Sequence, residues 1–341
     1  MLDDLAFIHR VDKSDTLGIA KNEPDQLLYE FNPKLQPSSF NNVVYAGMGG
    51  SALAAILSLT WPTYDMPFEV VRNYDLPGYV SSETLCIVSS TSGNTEEALS
   101  ILSQAEEKHA RIVVITGGGR LLEIAQQKNY PHYVMPPAKQ PRYGVFYNLK
   151  ALVEIGTCLG IVAGNSPKDL TAVVPFLREK AKNWAADVPI KNNLAKQLAL
   201  DCLGKSVVVY GGPKMSPAAY KWKISFNENA KQIAWTGVYP EFNHNEFIGW
   251  SEQPVSKPYQ VIDLRSTFEH PRVQERFELS DRLLSGKRPA PSVINLEGDS
   301  ILEQMLYAVL LGDFTTLYCA IAAETNPEPV ELIEKFKKML T

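Results

Sequence analysis

From residue 42 onward, short runs of β-branched residues alternate with helical stretches, and this alternation restricts the chain more than any other feature. "NVVYAG" (42–47), "FEVVRN" (68–73), "TLCIVSS" (84–90), "RIVVITG" (111–117) and "HYVMP" (132–136) read as strands. The helical segments between them include "SALAAILSL", a stretch from Thr95 to about His109, and one from about Arg120. Strands that are apolar throughout and joined by helices predict a parallel, doubly wound α/β sheet, because the crossover helices cover its faces. The apolar helix "VFYNLKALVEIGTCLGIV" closes this unit.

The pattern then restarts. "SVVVYGG" (206–212) leads into a helix through "PAAYKWKISFNENA", a strand near "QIAWTG", and the strand "YQVIDLR" (259–265). A helix from about Pro271, "PSVINLEG" (291–298) and a helix from Ile301 to about Ala323 follow. "VVYAGMGGSALAA" and "VVVYGGPKMSPAAY" share a strand, a glycine turn with a serine, and an alanine-bearing helix, which points to duplication of one α/β unit. A length of 341 residues suits two ordinary cores. The expected organisation is a helical segment over 1–36 punctuated by Pro24 and Pro33, a first domain over 37–165, and a helical connection over 166–204. A second domain over 205–325 and a C-terminal helix over 326–341, with proline at its start, complete it.

Charge and cysteine usage exclude several classes. With a net charge of −5 and no basic stripe, nucleic acid is not an expected partner. The start "MLDDLAFIHRVDKSD" lacks the basic-then-apolar pattern of a secretion signal, and no later run reads as the ~18 apolar residues of a membrane span. A cytoplasmic protein without membrane partners is expected. Cys86, Cys158, Cys202 and Cys319 stand apart with no CxxC pair and read as reduced core thiols. His9, His109, His132, His244 and His270 show no metal-ligand spacing, so no metal is expected.

Four stretches carry chemistry. "GMGGS" places Gly47, Gly49, Gly50 and Ser51 between a strand and a helix start, where backbone N–H groups and the helix dipole attract an anion. A plain βα turn fits this stretch equally, and Gly47, Gly49 and Ala52 also match G-x-G-x-x-A, although Arg72-Asn73 stands where an acidic ribose ligand would be. "SSTSGNTEE" (89–97) decides between them: a helix cap uses one hydroxyl, and here Ser89, Ser90, Thr91, Ser92 and Thr95 surround Gly93-Asn94. Two such turns fit one phosphate on a small molecule. "KQPRYGVF" (139–146) puts Arg142 in a loop, as a surface arginine or, facing a phosphate, as a stabiliser of developing negative charge. In "FNENAKQIAWTGVYPEFNHNEFIGW", Glu228 and His244 each lie between two asparagines among Trp235, Tyr239, Phe242 and Trp250. That cluster reads as the dry wall of a pocket doing acid–base work, against the bland alternatives of a solvated Glu and a core His.

In order along the chain, "MLDDL", "YAGMGGS", "SSTSGNTEE", "PRYGVFY", "NENAK", "FNHNE" and "NPEPVELIEKFKKML" together resemble the bifunctional phosphoglucose/phosphomannose isomerase family. The resemblance implies two sugar-isomerase (SIS) domains in tandem, each with a doubly wound parallel sheet. It also implies a cofactor-independent aldose–ketose isomerase, interconverting glucose 6-phosphate and mannose 6-phosphate with fructose 6-phosphate through a cis-enediol(ate). Carried over by motif, Gly49, Gly50, Ser51, Ser90, Ser92 and Thr95 would hold the phosphate and Arg142 the enediolate. Glu228 would be the base, His244 would assist ring opening, and Lys337 would lie near the ring oxygen. The resemblance further implies a homodimer whose active sites are shared, the histidine coming from the neighbouring subunit. Two other readings use the same residues: a non-catalytic sugar-phosphate sensor, which has no use for Glu228, His244 and Arg142 together, and a nicotinamide dehydrogenase, which leaves the hydroxyl loop unexplained.

Overall fold

The structure, a computed structural model, describes residues 1–31, 35, 36, 38–162, 166–252 and 258–340. Pro33, and residues 37 and 165 at two of the expected boundaries, lie outside these. The chain forms two compact units, Glu23–Pro175, and Met1–Asn22 together with Phe176–Thr341. The leading residues therefore divide between the units. The helices Leu5–Val11 and Thr16–Asn22 bury Phe7, Ile8, Val11, Leu17 and Ala20 and belong with the later part of the chain. Asp3 anchors them there by accepting a hydrogen bond from the Ile190 N–H at 2.8 Å.

The unit Glu23–Pro175 contains a sheet of five parallel strands, β1 (Asn42–Ala46), β2 (Phe68–Val71), β3 (Thr84–Ser90), β4 (Arg111–Thr116) and β5 (His132–Val134), in the order β2-β1-β3-β4-β5. Alternate residues of each strand feed separate cores on the two faces: Val43, Tyr45, Leu85 and Ile87 on one, Val44, Ala46, Cys86 and Val88 on the other. That two-sided burial is why these strands read as unbroken apolar runs. Strand order reverses between β1 and β3, and ligands of such sheets bind beyond the carboxyl ends of the strands at this switch point. "GMGGS" leaves β1 there and "SSTSGNT" leaves β3.

The other unit repeats the plan with β6 (Ser206–Gly211), β7 (Ala234–Val238), β8 (Tyr259–Arg265) and β9 (Ser292–Asn295), all parallel, in the order β7-β6-β8-β9. Its central helix, Ile301–Ala322, begins with a capping box in which Ser300 and Glu303 satisfy each other's backbone N–H groups. By length and composition this helix could cross a membrane, contrary to the expectation that no run comes near that limit. It is apolar all round because it is buried all round, inside this unit.

The expectation of four core thiols also needs correction. Cys86, Cys202 and Cys319 are buried, but Cys158 ends the helix Val145–Cys158 and is exposed. Burial pushes the Cys86 and Cys319 thiols up to about 12, which suppresses the reactive thiolate. Burial and nearby Glu154 raise the Cys158 thiol as well. One thiol of the four should react with DTNB in the native protein, and none after Cys158→Ser; two or more native thiols would contradict this burial pattern.

Candidate active site

The hydroxyl groups beyond β1 and β3 form two hydrogen-bonded sets, Ser51 with Thr91 and Ser90 with Ser92 and Thr95. Ser51 Oγ lies 3.1 Å from Thr91 Oγ1 and accepts the Thr91 N–H at 3.1 Å, which ties the two loops together. Ser90 Oγ is 2.8 Å from Thr95 Oγ1 and 3.5 Å from Ser92 Oγ, and it accepts the Gly93 N–H at 3.1 Å. Ser51 and Ser90 are buried, whereas Ser92 is exposed. Thr95 is the N-cap residue of the helix Glu96–Glu107, yet its side chain makes no capping bond. The helix Gly50–Ser58, with Gly49 at its N-cap, has no side-chain cap either. Two helix starts without side-chain caps turn their positive dipole ends toward these hydroxyls, as an anion would require, although the Ser51 and Ala52 N–H groups already bond the Met48 and Gly49 carbonyls at 3.0 and 3.2 Å.

Close backbone packing builds this arrangement. A Cβ on Gly50 would lie 2.7 Å from the Pro141 carbonyl carbon and 2.8 Å from the Arg142 nitrogen, so glycine lets the Arg142 turn press against the helix start. Arg142 is buried rather than at the surface, with its guanidinium 4.6 Å from the Tyr143 ring centroid and Nη2 donating to the Tyr143 hydroxyl at 3.2 Å. Gln26 holds the turn by donating to the Tyr143 carbonyl at 2.6 Å and accepting the Tyr147 N–H at 3.2 Å. The glycine-rich loop after β4, to which the sequence assigned no role, clamps the serine loop. Gly117 N–H donates to the Thr91 carbonyl at 3.1 Å, Leu121 N–H to the Gly93 carbonyl at 2.9 Å, and Arg120 N–H to Asn94 Oδ1 at 3.1 Å.

The related turn of the other unit is already filled. In "GGPKMS", the N–H groups of Lys214 and Met215 donate at 2.9 and 3.0 Å to Oε1 of Glu269, whose side chain is buried. Burial raises the carboxyl pKa of Glu269 while these two amides lower it. A carboxylate from its own chain stands where the repeat would place an anion. Among the described residues no carboxylate is bonded to the amides of the glycine turn after β1, which instead meets Thr91 through Ser51.

Glu228 occupies a π-helical turn, Phe226–Ala230, that continues the helix Ser216–Ser225 and ends at Lys231 in the left-handed region (φ 54). Such turns are rare and concentrate at functional sites. The asparagines beside Glu228 brace it: Asn227 Oδ1 accepts the Ala234 N–H at 3.0 Å, and buried Asn229 donates to Thr316 Oγ1 at 3.0 Å. Lys231 Nζ donates to the Glu228 carbonyl at 2.6 Å and to the Pro327 carbonyl at 2.9 Å.

His244 is exposed in the 3-10 turn Glu241–His244, which follows β7, whereas the Glu228 turn precedes it. A five-residue strand, about 16 Å of extended chain, lies between the two turns. The asparagines beside His244 are structural: Asn243 bonds Ser280 Oγ at 2.9 Å and Arg276 Nη1 at 3.1 Å, and Asn245 caps the following helix. The aromatic wall expected here is a hydrophobic core instead. Tyr239, Phe242 and Trp250 are buried with Tyr210 and Phe277 against the sheet, and Trp235 is 49% exposed. Core and pocket wall draw on the same aromatic residues, so composition does not separate them. Lys337 is exposed on the helix Glu331–Leu340 and pairs with Glu334 Oε1 at 2.9 Å. The structure thus brings together Ser51, Ser90, Ser92 and Thr95, with Arg142 backed onto Gly50, and places Glu228, His244 and Lys337 on three separate elements.

Two parallel-sheet α/β units, the first with a hydroxyl-lined switch point, have the architecture of tandem sugar-isomerase (SIS) domains. Residues 191–340 match the bacterial phospho-glucose isomerase C-terminal SIS domain. The chain is 33% identical over 332 residues to the bifunctional phosphoglucose/phosphomannose isomerase of Caldicellulosiruptor bescii, covering 94% of this chain and 97% of that protein. It is 30% identical over 304 residues to the protein of the same name from Aquifex aeolicus, covering 88% of this chain and 91% of that one. The fold matches a glucose-6-phosphate isomerase like protein from Thermus thermophilus with a TM-score of 0.66 at 19% identity, over 99% of this chain and 98% of that one. The chain belongs to the bifunctional phosphoglucose/phosphomannose isomerase family, and it is an isomerase by class.

Proposed function

We propose that this chain interconverts glucose 6-phosphate and mannose 6-phosphate with fructose 6-phosphate by moving a proton between C2 and C1 through a cis-enediol(ate), without a cofactor. The observation that carries the proposal is the hydroxyl cluster joining Ser51 to Thr91 and Ser90 to Thr95 beside two helix starts without side-chain caps. In this account Gly49, Gly50, Ser51, Ser90, Ser92 and Thr95 hold the phosphate, whose fixed position orients the reacting carbons. Glu228 takes the proton from C2 of the open-chain aldose, the electron pair passes into the C1 carbonyl, and the enediolate oxygen is stabilised by the permanent charge of Arg142. Transfer of the O2 proton to O1, and return of the proton from the Glu228 carboxyl to C1 as the C2 carbonyl forms, give the ketose. His244 assists ring opening, and Lys337 serves the ring oxygen.

The family resemblance suggests a homodimer in which Glu228 and His244 of different copies serve one substrate, and the placement of the two residues on turns at opposite ends of β7 is compatible with that. We place the protein in the cytoplasm. Assay of the purified protein with glucose 6-phosphate and mannose 6-phosphate, with and without EDTA, tests the proposal. Fructose 6-phosphate should form from both, at rates that EDTA leaves unchanged. Binding of sugar phosphates without turnover would instead identify a sensor.

A further inference from the structure

A buried polar ladder lies beneath the Glu228 turn. Lys221, Ser225 and Asn229 follow one another at intervals of four along the helix and its π-helical continuation, and all three are buried. They face Asp313 and Thr316 on the central helix Ile301–Ala322, which are buried too. Lys221 Nζ donates to Asp313 Oδ1 and, at 2.8 Å, to Ser225 Oγ, and Ser225 Oγ donates to Asp313 Oδ1 at 2.8 Å. Asn229 Nδ2 reaches Thr316 Oγ1 at 3.0 Å. Next to Lys221, Trp222 Nε1 donates to the Ala308 carbonyl at 2.6 Å.

Buried ion pairs are weak devices for stability, because desolvation offsets much of their attraction; their best-attested use is to fix register between elements. Here the register matters at one place. A π-helical turn holds one residue more than the α-helical turn it replaces, and its relaxation to α geometry would swing the following side chains by roughly 100° about the axis. Glu228 lies inside that turn, one residue before Asn229.

We propose that the ladder Lys221–Ser225–Asn229, locked onto Asp313 and Thr316, is a positioning device: it holds the π-helical turn in register and so fixes the direction of the Glu228 carboxylate. The inference rests on the assignment of Glu228 as the base. Asn229 and Thr316 are positioning residues, and neither is required to touch substrate.

Thr316 separates positioning from packing. Thr316→Val keeps the shape and removes the hydroxyl that accepts from Asn229; Thr316→Ser keeps the hydroxyl and removes a buried methyl. For glucose 6-phosphate, Thr316→Val should lower kcat at least tenfold with KM within twofold, while Thr316→Ser should keep kcat within threefold despite a lower melting temperature. Asn229→Ala, which removes the donor from the other side, should reproduce the Thr316→Val split. Wild-type kcat in Thr316→Val or Asn229→Ala would overturn the inference, and so would losses in the Val and Ser variants that simply track their melting temperatures. Glu228→Gln measured alongside distinguishes the two failures. An active Glu228→Gln removes the base assignment on which the inference rests, whereas an inactive Glu228→Gln beside an active Thr316→Val removes the inference alone.

Discussion

Glu228→Gln should lose about 10²–10⁴-fold in kcat, the usual contribution of a positioned acid–base group, while KM for the sugar phosphates stays within a few fold. A thousandfold loss corresponds to about 4 kcal/mol of transition-state stabilisation. The variant should fold normally, because Gln keeps the size of Glu and the side chain is only half-buried. Several contacts that hold the turn come from other atoms and survive the substitution: the Glu228 carbonyl, the Asn227 and Asn229 side chains, and the Lys231 ammonium. Its melting temperature should therefore change little, since substitutions away from buried features usually cost under about 0.5 kcal/mol. Steady-state kinetics with circular dichroism melts decide the matter. A variant with near-normal kcat would show that another group removes the C2 proton.

Gly93→Ala should have the second largest effect, on stability and binding together. Gly93 has φ +69 at the tip of the serine loop, and a Cβ there would lie 1.8 Å from the Gly118 carbonyl oxygen. A left-handed alanine costs about 1–2 kcal/mol and a forced backbone contact about 1–3 kcal/mol more. The lost stability, about 2–5 kcal/mol in sum, should lower the melting temperature by several degrees. The damage also reaches the ligand. Pushing Gly118 away loosens the hydrogen bonds from Gly117 to Thr91 and from Leu121 to Gly93, and with them the hydroxyls of Ser90 and Thr95. KM for glucose 6-phosphate should rise at least tenfold with a smaller change in kcat. A variant with unchanged KM would mean that this loop does not hold the phosphate.

The strands were legible because burial on two faces leaves an unmistakable trace: Val43 and Val44, or Cys86 and Ile87, enter different cores, so consecutive residues must all be apolar. The grouping of hydroxyls after β3 was legible for a related reason, since a loop with five hydroxyls in seven positions exceeds what one helix cap can use. What stayed hidden depends on partners far along the chain. The π-helical turn is braced by a bond from Asn229 to Thr316 across 87 positions, and the filled turn of the other unit by Glu269, 55 positions beyond Lys214. Nothing local in "NEN" or "GGPKMS" records those contacts. The aromatic segment misled for a different reason: Tyr239 and Phe242 pack with Tyr210 and Phe277 as core, and an aromatic core has the composition of a dry pocket. The leading helices read correctly as helices, but their place with the later unit follows from tertiary anchors such as Asp3 to Ile190.

The proton-transfer account meets its most direct test in deuterated water. Incubated with the protein and re-isolated before equilibrium, glucose 6-phosphate should carry deuterium at C2, placed there when the base exchanges its proton with solvent and the enediolate collapses back. Label that enters C2 with the wild-type protein and fails to enter with Glu228→Gln is the predicted result. Fructose 6-phosphate formed with no solvent label in any species, the C2 hydrogen migrating wholly to C1, would contradict the account and point to a hydride shift.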